Sequence, residues 1–412
     1  MSDNSFFMLG ALAQVKNTVS VRLNQLLDWS QITAQLKNLY KRDISGKGGQ
    51  EPYAPLSMFK LVLLGQWHNL SDEALEQALH VRLDFMVFTG FEMGEEMPDS
   101  STICRFRNRL VTAKLNIKLL EEINRQLEDL GLMVKGAQAA LVDATIIPSA
   151  ARPRQHIEAS AEITNVEPVE TAESSVAITE STETTEVTAT IETAAATATI
   201  IQSADMKTSA EIANTESAET AKSSVTITEP TETTEATATI IQSADSDARW
   251  LKKGTKSHFG YRVFTRVDES DGYVRWLHTT PANASEQTQF ATIVASIKDD
   301  VNEVLTDKGF TSAANRQLLK SRGIRDSISH KAVRGRALTT EEKQQNKAIA
   351  SRRFKVEQAF GTLKRRFNMA RARYFSTAKV TMQMTLAAIG HNLLKAQRKM
   401  EALNMQKRVI WG

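Results

Sequence analysis

Between residues 54 and 111 the apolar positions recur at helical spacing. Leu56, Phe59, Leu63 and Trp67 predict a helix from about Leu56 to His68. Ser71, followed by Asp72 and Glu73, predicts the cap and acidic first turn of a second helix. A third opens at Ser100 or Ser101 and alternates Arg105, Arg107 and Arg109 with apolar positions. Residues 1–50, including the apolar "SFFMLGALAQV", also read as helical. The period then shortens. "AALVDATIIPSAA" (139–151) is a short β-branched run with Pro148 near its end, which predicts a buried strand, and Tyr261–Val267 and Tyr273–Thr279 alternate about the turn "DESDG". A helix from about Glu286 to Lys298, an apolar run ending at Asp307, a break at Gly309 and a helix beginning at Ser312 follow. This order predicts an α/β protein, with a helical N-terminal part ahead of a mixed sheet.

The segment "SRRFKVEQAFGTLKRRF" (351–367) sets one acid, Glu357, among Arg352, Arg353, Lys355, Lys364, Arg365 and Arg366. On a helix, Arg353, Glu357 and Lys364 fall within about 40° of one another, and Val356, Phe360, Leu363 and Phe367 form a neighbouring stripe centred about 70° away. Two readings stay open. Glu357 pairs with Arg353 at i,i+4, for a few tenths of a kcal/mol, or it is a catalytic carboxylate flanked by phosphate-binding cations. Asp143, in the middle of an apolar strand, needs either a structural hydrogen bond or a metal to offset its desolvation. Asp307 ends a strand, where open α/β sheets place their sites. Three dispersed carboxylates suit Mg²⁺, which takes oxygen ligands and shares its coordination with substrate phosphates.

Charge sharpens this picture, because the formal net +3 hides two opposed parts. Residues 157–246 hold 17 Asp/Glu against Lys207 and Lys222, leaving the rest of the chain at +18. That balance favours a nucleic-acid partner. The acidic stretch is a duplication: "SAEITNVEPVETAESSVAITESTETTEVTATIETAAATATIIQSAD" (160–205) recurs, shortened, at 209–245. It has no aromatic residue and no glycine, and its Thr, Ala, Glu and Ser predict a disordered insertion. The single cysteine, Cys104, excludes a disulfide framework and a cysteine zinc site. Without an apolar run near 18 residues or a signal peptide, a soluble cytoplasmic protein is expected, with no membrane partner.

The motifs "LVDATIIPSA", "LKKGTKSHFGYRVFTRVD", "TDKGFTSAANRQLL" and "RRFKVEQAFGTLKRRFNMARARY", in this order, resemble bacterial insertion-sequence DDE transposases of the IS-five type. "PLSMFKLVLLGQWHNLSDEALEQALHVRLDFMVFTGF" through "PDSSTICRFRNRL" resembles the amino-terminal domain of that family. The resemblance implies an RNase H-like catalytic domain that uses Mg²⁺, or Mn²⁺, with Asp143, Asp307 and Glu357 as catalytic and metal-binding acids. It further implies double-stranded DNA partners, both terminal inverted repeats and target DNA, and a homo-oligomer on DNA. Arg353, Glu357 and Lys364 match the Arg, Glu and Lys of a family signature whose tyrosine position here holds Ala350, and Phe310 stands where the family usually has Tyr.

The expected domains are a helical DNA-binding domain (1–132), a catalytic domain (133–156 and 247–400), the acidic insertion (157–246) and a tail (401–412). DNA contacts are expected from Arg353, Lys364, Arg365 and Arg366, and from Arg105, Arg107 and Arg109 of a helix-turn-helix or plain helical bundle. A related metal-dependent nuclease without strand transfer, and a decayed DNA-binding self-repressor, are the alternatives to a transposase.

Overall fold

The first third of the chain folds as helices α1 (Phe6–Val15), α2 (Val19–Leu26), α3 (Trp29–Leu36), α4 (Pro55–His68), α5 (Asp72–Val81), α6 (Leu83–Thr89), α7 (Ser100–Thr112) and α8 (Asn116–Asp129). The computed structural model describes residues 6–16, 18–40, 51–136, 138–151, 222–228, 233–239, 244–297 and 301–411. Ser71 caps α5, its hydroxyl accepting from the Ala74 amide at 3.1 Å. The cap of α7 is Asp99, just before the expected serines, which accepts from the Thr102 amide at 2.7 Å. Helix α4 is buried from Met58 to Trp67, so it is the centre of the bundle rather than a surface helix. Helix α6 was not expected. With residues 90–99 it separates α5 from α7, in place of the turn of about three or four residues that joins a helix-turn-helix pair.

The sheet is built around β1 (Ala139–Pro148). Within the acidic insertion, β2 (Lys222–Thr228) and β3 (Thr233–Thr239) pair antiparallel as a separate two-stranded sheet. Most of the rest of the insertion, where disorder is expected, falls on 157–221, 229–232 and 240–243, outside the described residues. The chain then returns through β4 (Arg249–Lys253), β5 (Lys256–Asp268), β6 (Val274–Pro281), α9 (Glu286–Ala295), β7 (Glu303–Thr306), α10 (Ala313–Ser321), β8 (Arg325–Ile328), α11 (Thr340–Arg366) and α12 (Thr377–Trp411). Strand β5 runs antiparallel to β1 on one side, and β7 runs parallel to it on the other, followed by parallel β8. The far edge of β5 is shared end to end by β4 and β6.

Alternation along the strands assigns the two faces. Ala140, Val142, Phe264 and Val304 pack with Phe290 and Ile293 of α9 and Leu319 of α10. Leu141, Val263, Val267 and Leu305 face the opposite way, into a larger core with α11, α12 and the N-terminal helices. That core runs from Leu23 through Phe59 and Leu120 to Leu393. Residues 1–150 and 247–412 are accordingly one compact unit and 151–246 another, so no break between cores falls at 132/133. The expected tail is helical too, as the final turns of α12.

Buried polar groups fix how the layers meet. Asn392 of α12 accepts from the Val274 amide at 2.9 Å and donates to the Val274 carbonyl at 2.8 Å and to Asn124 of α8 at 2.7 Å. Both backbone polar groups of Val274, the first residue of β6, are thereby matched. Gly390 is required where α12 passes Phe367, since a Cβ there would stand 2.6 Å from the ring. No helix among the described residues is long and apolar enough to cross a membrane.

Burial pulls His391 down to about 4, and His68, which also lies near Arg82, down to about 4. Both values are below the ordinary 6.5, so the unfolded chain takes up these protons first. Stability is therefore full above about pH 6.5 and lost as the pH falls toward 4, by up to about 3 kcal/mol for His391 and less for half-buried His68. Urea midpoints at pH 4.5 and 7.5 should show this loss. His68→Gln should narrow the difference.

Candidate active site

Pairing between β1 and β7 brings two of the expected acids together. The parallel ladder matches Ala139 with Glu303, Ala140 with Val304 and Leu141 with Leu305. Two residues farther on stand Asp143, still within β1, and Asp307, just past the end of β7, close enough that Asp307 adds to the upward push on Asp143. Asp307 caps a short 3₁₀ turn, Lys308–Phe310, by accepting from the Gly309 amide at 2.8 Å. Asp143 accepts from the Ala144 amide with one oxygen, at 2.8 Å, and from the Arg353 guanidinium with the other, also at 2.8 Å.

Helix α11 lies across these strand ends, started by a reciprocal capping box between Thr339 and Glu342. Its cations divide into two groups. Arg352 grips both oxygens of Glu303 at 3.0 Å and reaches Glu269 at 3.2 Å, Arg353 crosses to Asp143, and Lys355 donates to the Glu269 and Ser270 carbonyls. Lys364 is half-buried near Asp143, while Arg365 and Arg366 are exposed. The i,i+4 pair between Arg353 and Glu357 does not form. Glu357 is exposed and, among the described residues, makes no hydrogen bond or ion pair.

The structure adds a carboxylate that the sequence reading missed. Glu286, in the first turn of α9, presses against Gly309, where an added Cβ would lie 1.7 Å from Oε2, and meets Arg262 at 3.3 Å. Burial and then Asp307 push its carboxyl upward, while Arg262, Lys253 and Arg353 oppose. Behind Ser285, Glu286 reads from sequence as an ordinary helix-start acid, and only the β7–β1 pairing brings it to the site. Asp143 is pushed up to about 6 by burial, against Arg353, with Asp307 and Glu286 adding repulsion. Lys253 reaches the site from the β4–β5 hairpin and, after burial, helps pull Lys364 down.

Comparison with known proteins decides the family. A model described as "Transposase domain (DUF772)" matches residues 8–109, and one described as "Transposase DDE domain" matches residues 223–393. The transposase for insertion sequence element IS1106 of Neisseria meningitidis serogroup B is 34% identical over 299 residues, 72% of this chain and 78% of the relative. The chain belongs to the insertion-sequence DDE transposases. It is an enzyme of that class, and its family implies DNA binding and an RNase H-like fold, in keeping with the strand order β6-β5-β1-β7-β8. No solved structure matches it.

DDE transposases are generally dependent on divalent metals. Among the described residues no three acid, imidazole or thiol groups are gathered closely enough to hold an ion. The donor chemistry nevertheless fits one: Asp143, Asp307 and Glu286 repel one another, and the Arg353 guanidinium now stands as the cation on Asp143.

In the transposase's N-terminal match, the three expected DNA-binding arginines separate. Arg107 is 5% exposed, forms a two-pronged ion pair with Asp72 and meets the Tyr374 hydroxyl and ring. It ties α7 to α5 and to the loop before α12, and so corrects the expectation of a DNA contact there. Arg105 and Arg109 are exposed, the first bonded to Ser101 and the second over the Tyr40 ring at 4.8 Å. Arg107→Ala should cost about 3–5 kcal/mol in urea unfolding by leaving Asp72 without its partner. Arg105→Ala and Arg109→Ala should stay within about 0.5 kcal/mol of the parent.

Proposed function

We propose that this transposase, of the IS-five type, binds the terminal inverted repeats of its element and carries out metal-dependent strand cleavage and strand transfer. The observation that supports the reading is that Asp143 in β1 lies near Asp307, just past the end of the neighbouring parallel strand β7, with the Glu357 helix bonded to Asp143 through Arg353. Asp143, Asp307 and Glu357 would hold Mg²⁺, or Mn²⁺. The bound ions would lower the pKa of the attacking hydroxyl and stabilise charge on the leaving oxygen.

The chain's own residues supply position and field. Asp307 is held by the Gly309 amide and Asp143 by the Ala144 amide, so neither acid must be ordered when substrate arrives. Glu286 adds negative charge beside Asp307, supporting cation binding from behind. Lys364, Arg365 and Arg366 contact DNA phosphates, Lys364 beside the cleaved strand, and Arg353 does so when released from Asp143. Arg105 and Arg109 contact DNA from α7, within a domain whose DNA-binding role spans the N-terminal helices. In cleavage, a water oxygen attacks phosphorus, the bond to the 3′ oxygen breaks and a free 3′ hydroxyl remains. In transfer, that hydroxyl attacks a target phosphate and displaces the target's own 3′ oxygen. No protein side chain becomes covalently attached. Joining two ends calls for a homo-oligomer on DNA.

Purified protein, labelled DNA bearing the element's ends and Mg²⁺ or Mn²⁺ provide the test. Wild type should cut and join, and Glu357→Gln should bind equally well while cutting on the order of 10³-fold more slowly, matching the loss of about 4 kcal/mol of charge stabilisation. Cutting without joining would favour a nuclease. Binding without cutting by wild type in either metal would favour a decayed DNA-binding protein.

A further inference from the structure

On the other side of α11 from the carboxylates lies a cavity of about 420 Å³, enclosed by the turn at 270–272 and the middle of α12. Its walls include Phe354, Lys355, Arg365, His391, Lys395 and Arg398. Along α11, Phe354, Lys355 and Arg365 stand about 100–200° around from Arg353. A strand seated at Asp143 therefore does not reach them.

The cavity is built for negative charge. Its one acid, Asp271, is committed to backbone amides, those of Val134 at 2.8 Å and Tyr273 at 3.2 Å. Lys355 is held at the rim by the Glu269 and Ser270 carbonyls, and Arg365 uses only its Nε, on the Gly361 carbonyl at 3.2 Å. Lys395 and Arg398, neighbours on α12, make no hydrogen bond or ion pair among the described residues. Burial pulls the Lys395 amine down, and Arg398 and Lys355 add to this against Asp271. Lys355, Arg365, Lys395 and Arg398 outnumber the one acid, Asp271, and like charges so gathered cost free energy that a bound phosphate would return, although Lys395 also lies over the Tyr273 ring at 5.5 Å. His391, buried in the wall, has no partner for Nδ1, and Phe354, 45% exposed, offers apolar surface of the kind a deoxyribose covers.

We propose that this cavity holds the sugar–phosphate backbone of duplex DNA outside the strand being cut. The inference rests on the reading that the chain acts on DNA. It assigns the second face of α11 to a DNA segment that the carboxylate site does not hold.

The salt dependence of duplex binding tests it. Replacing Lys395 and Arg398 together by Gln should make the slope of log affinity against log salt shallower by about 1.8, with Arg398→Gln alone giving about 0.9. Lys395→Arg with Arg398→Lys should keep the wild-type slope. Cleavage at saturating DNA should stay within about twofold of wild type in all of them, since none touches the carboxylates. A wild-type slope in both Gln variants overturns the assignment and leaves the proposed function standing. Failure of wild type itself to bind duplex DNA overturns both.

Discussion

Two consecutive arginines determine where the Glu357 helix lies. Arg352 and Arg353 leave the helix about 100° apart, and each finds a carboxylate on a different strand, Glu303 on β7 and Asp143 on β1. Carboxylates so largely buried are tolerated only with partners, and removing one partner leaves a charge that the interior cannot solvate. The acids of the sheet thereby fix the rotation of the helix about its axis. With that rotation fixed, Glu357 stands one turn beyond Arg353, on the same side as Lys364, without a hydrogen-bond or ion-pair partner among the described residues.

The same arrangement places strain where chemistry is expected. Asp143 sits up at about 6 because burial outweighs the help of Arg353, and Asp307 and Glu286 worsen its position. A site optimised for stability would not collect three acids beside one strand end. Sites that bind cations do collect them, and they depend on a surrounding structure stable enough to hold the repulsion. That support comes from the large core on the α11 side of the sheet, where α12 meets both the N-terminal helices and β6 through the Asn124–Asn392 pair. The N-terminal helices are thus part of the catalytic scaffold as well as the proposed reader of DNA.

Much of this was legible in the sequence. The strand within 139–151, those at 261–267 and 273–279, found in longer form, and the helix after Ser312 were readable from β-branched runs, alternation and turn chemistry, with Asp143 inside the first run and Asp307 at the end of a later one. Glu286 and Lys253 were not legible, because each looks ordinary in its own segment and gains its meaning from a nonlocal pairing. Arg107 was misread for the converse reason. Among alternating arginines, nothing local distinguishes the one whose partner, Asp72, lies on another helix. Four-residue β8 is too short to show a period, and the continuation of α12 through 401–411 carries no stop signal that a tail would need.

Charge counting along 351–367 therefore overstates what is free to meet DNA. Of its six cations, Arg352, Arg353 and Lys355 are engaged within the fold, leaving Lys364, Arg365 and Arg366 with capacity to spare. Counterion release rewards only cations that exchange solvent ions for phosphate, so a side chain already neutralised by Glu303 adds little to affinity. Lys395 and Arg398 on α12, which make no hydrogen bond or ion pair among the described residues, are the cations that the proposed second DNA contact would add from outside the segment. Arg353 stands between the two groups. It neutralises Asp143 through the 2.8 Å contact between its guanidinium and the carboxylate, and so is counted with the fold rather than with the cations left for DNA.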